Sequence, residues 1–260
     1  MKVTMDKLKI YFKIYLRYHT TYKANVMLKL VHLPINTFVI GMMWYVLYQT
    51  NEQLDLRYLI YYYICVFLIT NCYPFARVVR NIEGEIFYGK VVTYFVRPVP
   101  YFIPKWMHFI SWIVIYFSLS LPIFIILLFL SNIKIINFVS FFIVLLVGLN
   151  IQFLFWYLIA LFSFWLEKII GLLRAVSVVQ TICSGALIPL FMFSENVQKI
   201  IDLLPFKYFV FYPVNLLLQD VDGYNLLSIL ISEFLWILLL IFMIQVLWNI
   251  GLRHYQNNFN

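Results

Sequence analysis

Six stretches of this sequence, at 30–51, 58–76, 106–130, 138–166, 175–194 and 223–252, carry almost no charge; the last holds Glu233 alone. A helix needs about 20 mostly apolar residues to cross the hydrocarbon of a bilayer. Backbone groups placed in hydrocarbon must be satisfied within the segment, which makes such runs helical. The expectation is an all-α integral membrane protein with six transmembrane helices in a single domain, 1–260. Composition supports this, because 64% of the 260 residues are hydrophobic and only 12% are charged. Soluble domains carry roughly 25% charged residues and about half apolar ones. A soluble fold of this length would leave large apolar patches in water. Pro34, Pro122 and Pro189 lie inside runs and predict kinks or interruptions, which membrane helices tolerate when neighbours satisfy the freed carbonyls.

The net charge of +8 does not point to nucleic acid, because the basic residues crowd beside apolar runs, as in loops facing anionic lipid. Counting Lys and Arg in the flanks sets the orientation. With both termini in the cytoplasm, inner segments hold 15 of the 19 basic residues. Only Arg57, Lys134, Lys199 and Lys207 fall outside. Glu52, Asp55, Glu195, Asp202, Asp220, Asp222 and Glu233 lean to the outer side. The N-terminus begins with Lys2, Lys7, Lys9 and Lys13 and lacks the short apolar core and cleavage site of a signal peptide.

Three segments between the runs carry further information. Residues 5–26 place Leu8, Tyr11, Phe12, Tyr15, Tyr22 and Val26 near helical spacing, with Lys9, Lys13 and Arg17 on another face. That pattern predicts a helix lying along the inner membrane surface. The inner connection 77–105 is long and charged, while 195–222 mixes apolar and acidic residues with Pro205 and Pro213 and is expected to pack at the outer interface.

Chemistry-bearing residues are sparse within the runs. Cys65, Cys72 and Cys183 read as small buried hydrophobes, and their spacing suggests neither zinc nor a disulfide framework. His19, His32, His108 and His254 are scattered and have no metal-ligand spacing on one helix. Glu233 reads first as a side chain reaching toward the outer interface, with an outer-gate or substrate role as the sharper alternative. Aromatic and aliphatic walls without fixed charge suit an amphipathic or lipid-like substrate. No phosphate-cradling loop is present, so ATP could power this chain only through a separate subunit.

Two stretches carry a resemblance. In the inner connection, Ile86-Phe-Tyr-Gly89 leads after seven residues to Arg97-Pro98; the fifth run holds Ser184-Gly185-Ala-Leu-Ile-Pro189, followed by Leu203-Leu-Pro-Phe206. Their order and sidedness resemble the ABC-2 type of ABC exporter permease over nearly the whole chain. The resemblance implies an N-terminal interfacial helix at 5–26, a cytoplasmic coupling helix at 78–92 and an outer re-entrant segment at 195–222. In the coupling helix, Arg80, Glu83 and Glu85 would supply polar contacts to an ATPase, Ile86, Phe87 and Tyr88 an apolar anchor, and Gly89 the helix stop. Arg97-Pro98 would then turn the chain back to the membrane. The short loop 167–174, with Glu167, Lys168 and Arg174, would be a second contact. Gly185 and Pro189 would break the fifth helix at an outer gate.

The resemblance further implies half of an exporter in a bacterial cytoplasmic membrane. A second permease, identical or different, would complete the pathway among membrane lipid, and ABC ATPase subunits would bind ATP and Mg. The permease itself would not be an enzyme. The alternative is a non-transporting immunity or assembly factor, which gives no reason for the Gly…Arg-Pro connection. An ion-coupled transporter needs midplane polar residues that the runs scarcely supply.

Overall fold

The computed structural model describes residues 5–21, 23–50, 55–94, 96–97, 99–130, 133–218 and 226–258. Ten α-helices order these residues: α1 (Met5–Thr21), α2 (Lys23–Thr50), α3 (Leu56–Asn71), α4 (Phe75–Phe87) and α5 (Phe102–Leu130) in the first half. The second half holds α6 (Ile135–Leu161), α7 (Ile170–Cys183), α8 (Glu195–Asp202), α9 (Phe211–Leu218) and α10 (Leu226–Asn258). No strand occurs among the described residues.

Four helical stretches among the described residues are long and apolar enough to cross a membrane: Leu56–Phe87, Phe102–Leu127, Ile135–Phe164 and Leu226–Gln256. The first comprises α3 and α4, separated at Cys72–Pro74 where proline cannot donate into a helix and disfavours helical backbone before it. The run at 30–51 is helical through Thr50, and Asn51 lies outside the described residues. The run at 175–194 is helical only to Cys183 and belongs to α7, a shorter apolar helix. Helix continues through Pro34 and Pro122, whereas the segment around Pro189 breaks.

α6 is the centre of the bundle, packing against α10, α9 and α4. From Ile151 to Leu161 it is buried apart from half-buried Phe155. In lipid the surrounding solvent is as apolar as the core, so dispersion contacts and interhelical polar bonds hold such helices together. Trp156 illustrates both: its ring stacks on Phe75 of α4 at 4.2 Å, and its indole N–H donates to Gln180 Oε1 of α7 at 2.7 Å.

α1 lies along α5, with Tyr15 edge-on to His108 and His19 against Trp112. Leu8, Tyr11, Phe12 and Tyr15 form its half-buried face, and Lys9, Lys13 and Arg17 are exposed. Tyr22 lies outside the described residues, and α2 begins at Lys23.

The segment 195–218 packs into the bundle. α8 leads through a short turn at Pro205–Tyr208 into α9, and the stretch Pro205–Val210 and Pro213–Leu217 is buried against α3 and α6. Residues 219–222 lie outside the described residues.

Candidate functional site

α4 buries Val78, Val79, Ile82 and Ile86, a stripe at helical spacing that docks the connection onto the bundle. This placement divides the sequence-derived site into two groups. Ile86 is 2% exposed and packs inward, so it offers no anchor to another protein. Glu83 accepts the Ile169 backbone N–H at 2.9 Å and fastens α4 to the start of α7. Glu85 accepts from the Tyr101 hydroxyl at 2.7 Å and from Lys105 Nζ at 2.5 Å, tying α4 to α5. These two carboxylates hold the connection in place. Facing outward are Arg80, Phe87 at 58% exposure and Tyr88 at 73%, the last two edge to face. Gly89 at φ +71° ends the turn beyond α4, and a 3-10 turn, Lys90–Tyr94, follows. Arg97 is exposed with its guanidinium 4.5 Å from the Tyr94 ring centre. Pro98 lies outside the described residues. In the 167–174 loop, Glu167, Lys168 and Arg174 are exposed.

The break in the fifth run is built around Gly185. Its φ of +80° is a backbone region that costs other L-residues about 1–2 kcal/mol. A Cβ there would stand 2.8 Å from Tyr62 Oη. The chain leaves α7 through Ser184–Gly185, passes Pro189 in extended backbone and re-enters a 3-10 turn at Leu190–Met192. Carbonyls freed by a break at membrane depth need donors. Two adjacent tyrosines of α3 supply them: Tyr62 donates to the Gly185 carbonyl and Tyr63 to that of Leu187, each at 2.8 Å. Tyr58, one turn earlier, donates to Asn215 Oδ1 of α9 at 2.7 Å. The sequence shows Tyr58 and Tyr61–Tyr63 plainly, but tyrosines near span ends also form interfacial belts.

The α8–α9 hairpin meets α6 where Gly148 removes the side chain. A Cβ at this position would lie 2.3 Å from the Tyr208 carbonyl oxygen and 3.4 Å from Glu233 Oε1. Glu233 is 0% exposed, and neither carboxylate oxygen meets a hydrogen-bond donor among the described residues. The expectation that it reaches the outer interface is thereby corrected: α10 turns it inward against α6 and the hairpin. Lys207, mostly buried, pairs with Asp202 at 2.9 Å and closes the hairpin on itself.

A cavity of about 270 Å³ opens between α2, α3, α6 and α7, with Phe67, Thr70, Gln152, Gln180, Thr181 and Ser184 among its walls. Gln152 and Gln180, both lining this cavity, escaped the sequence reading, although their signal was two amides inside otherwise apolar runs. Among the described residues no three His, Cys, Asp or Glu side chains converge as metal ligands.

Several long apolar helices and an interrupted helix clamped by tyrosines define a multi-pass membrane protein. The chain belongs to the ABC-2 transporter family: the family described as "ABC-2 family transporter protein" matches residues 23–258. It is therefore a transport permease subunit, in a family whose permeases are membrane components associating with ABC ATPase subunits and are not themselves ATPases. No curated protein and no solved structure matches the chain.

Proposed function

We propose that this permease is half of an ATP-driven exporter that moves an amphipathic or hydrophobic substrate out across a bacterial cytoplasmic membrane. Separate ATPase subunits bind ATP and Mg and push on the connection between the second and third crossings. The observation that carries the reading is the exposed Phe87–Tyr88 pair at the tip of α4, a helix fixed to the bundle by Glu83 and Glu85. An aromatic tip on a rigid mount suits a docking contact, because large rigid side chains dominate such interfaces. Arg80 and Arg97 supply charge beside it, and the 167–174 loop adds a second contact.

Six crossings complete the topology, with α2 as the first and α7, continued past its break, as the fifth. The basic flanks support both termini in the cytoplasm, and α1 then runs along the inner surface. A second permease chain, identical or different, covers the apolar faces of α2 (Val39, Met42, Val46) and α7 (Val178, Val179, Ile182), which are exposed. The amide-lined cavity and the break at Gly185 and Pro189 would then border a shared pathway and its outer gate.

The test replaces Phe87 and Tyr88 together with alanine in full-length protein and measures membrane insertion, co-purification of the ATPase and stimulated ATP hydrolysis. Normal insertion with loss of the ATPase is expected. Complex formation and hydrolysis equal to wild type would refute the docking assignment.

A further inference from the structure

On the side of α6 remote from α7, α5 and α10 flank α6 and leave a crevice between them. Its wider part encloses about 480 Å³ and is walled by Tyr101, Phe102, Leu154, Tyr157, Ile244 and Trp248, among others. The crevice runs on past Phe102, Leu154 and Ile241, which border both parts, into a second hollow of about 310 Å³ reaching Trp106, Val147 and Ile237. Among the described residues no charged side chain lines either part. Of the two amides present, Asn150 is already engaged, accepting from the Trp106 indole at 3.2 Å.

Length and charge limit what can occupy such a space. From Ile237 to Trp248 the groove follows α10 for about 16 Å at about 1.5 Å per residue. That is half of the roughly 30 Å hydrocarbon thickness, the depth of one leaflet. At the Trp248 end, Tyr101 stacks on the indole at 5.2 Å, and Tyr94 joins the wall with the Arg97 guanidinium over its ring. Lys105, nearby, is committed to Glu85, while Arg97 is exposed and pairs with no carboxylate among the described residues. A planar guanidinium binds phosphate oxygens in bidentate fashion.

We propose that the α5–α6–α10 crevice binds one acyl chain of a phospholipid from the leaflet that holds Arg97, with Arg97 on the phosphate of an anionic headgroup. The aromatic mouth is the membrane-interface end, and the hollow beside Ile237 receives the chain terminus near the midplane. The site requires only that the chain spans a membrane. It shares Arg97 with the proposed docking surface, so its test is run without ATPase and stands or falls separately from docking; it lies apart from the α2–α7 face.

Full-length protein is reconstituted without ATPase in vesicles of equal phosphatidylglycerol and phosphatidylcholine. A trace of either lipid carries a diazirine at its acyl terminus. After illumination, residue-resolved labelling at the wall positions Ile237, Ile241, Ile244, Val147 and Leu154 should exceed that at exposed Leu235 and Phe242 on α10. Near-surface charge attraction of one Arg predicts about fivefold preference for phosphatidylglycerol, and Arg97→Gln should abolish it. Ile241→Trp, filling the groove from its rim, should reduce wall labelling to the level of Phe242. Labelling spread evenly over α10, or preference and extent unchanged in Arg97→Gln, which alters only an exposed side chain, would overturn the proposal.

Discussion

The Tyr62 phenol donates a 2.8 Å hydrogen bond to the Gly185 carbonyl, joining α3 to the point where the fifth apolar run stops being a helix. Interhelical bonds of this kind contribute on average about 0.6 kcal/mol and up to about 1.7 kcal/mol in membranes. Tyr62→Phe should therefore lower stability modestly. Gly185→Ala should cost more, about 1–2 kcal/mol from the left-handed backbone alone, because its Cβ also meets the same phenol. Thermal melting of the detergent-solubilised protein ranks the two, and equal midpoints would contradict the clamp.

Gly148 predicts a second, larger effect. In Gly148→Ala the new methyl would lie 2.3 Å from the Tyr208 carbonyl, a backbone atom that cannot rotate away. Overpacking of this sort costs about 1–3 kcal/mol, and relief requires lifting the hairpin from α6. Hydrogen exchange should accelerate across Phe206–Leu217, with little change in α1.

The Glu85–Lys105 pair is held within a partly buried network that includes Tyr101. Glu85→Ala leaves Lys105 without its partner, so the single change should destabilise by about 1–3 kcal/mol. Glu85→Ala with Lys105→Ala should cost less than the sum of the single variants, by about 0.5–3 kcal/mol of coupling. A double-mutant cycle on melting midpoints measures this. Strict additivity would mean that the ion pair contributes nothing.

Acidification should loosen α1. His19 is 3% exposed between Tyr18, His108 and Trp112, and burial lowers its pKa from 6.5, with Arg77 pushing the same way. A base with a depressed folded-state pKa takes up its proton later than the unfolded chain does. Its stabilisation is complete above pH 6.5 and is lost as pH falls below that value. The protection factors of α1 amides, with the intrinsic pH dependence of exchange divided out, should fall between about pH 7.5 and about pH 5.5, and His19→Phe should flatten that dependence.

The sequence exposed some of this architecture and hid the rest for identifiable reasons. Uncharged run length located the long helices, and Lys9, Lys13 and Arg17 marked the outer face of α1. Helical spacing could not tell which sides of α6 are buried, since a helix apolar all round carries no facial signal. For the same reason Glu233 looked interfacial by position along α10, while its rotation toward Gly148 depends on packing. In the connection after α4 the Gly…Arg-Pro spacing drew attention to the segment but did not disclose the division of labour within it. Glu83 and Glu85 point inward because Ile169, Tyr101 and Lys105, distant in sequence, converge there.

The close approach of Tyr208 to Gly148 has a mechanical corollary. Two main chains in contact, with no side chain between them, have no rotamers to exchange and no ridge over which to slide. The hairpin and α6 therefore behave as one stiff unit. Freedom to move is left to the neighbouring segment beyond α7, which breaks at Gly185 and hangs by hydrogen bonds on the phenols of Tyr62 and Tyr63.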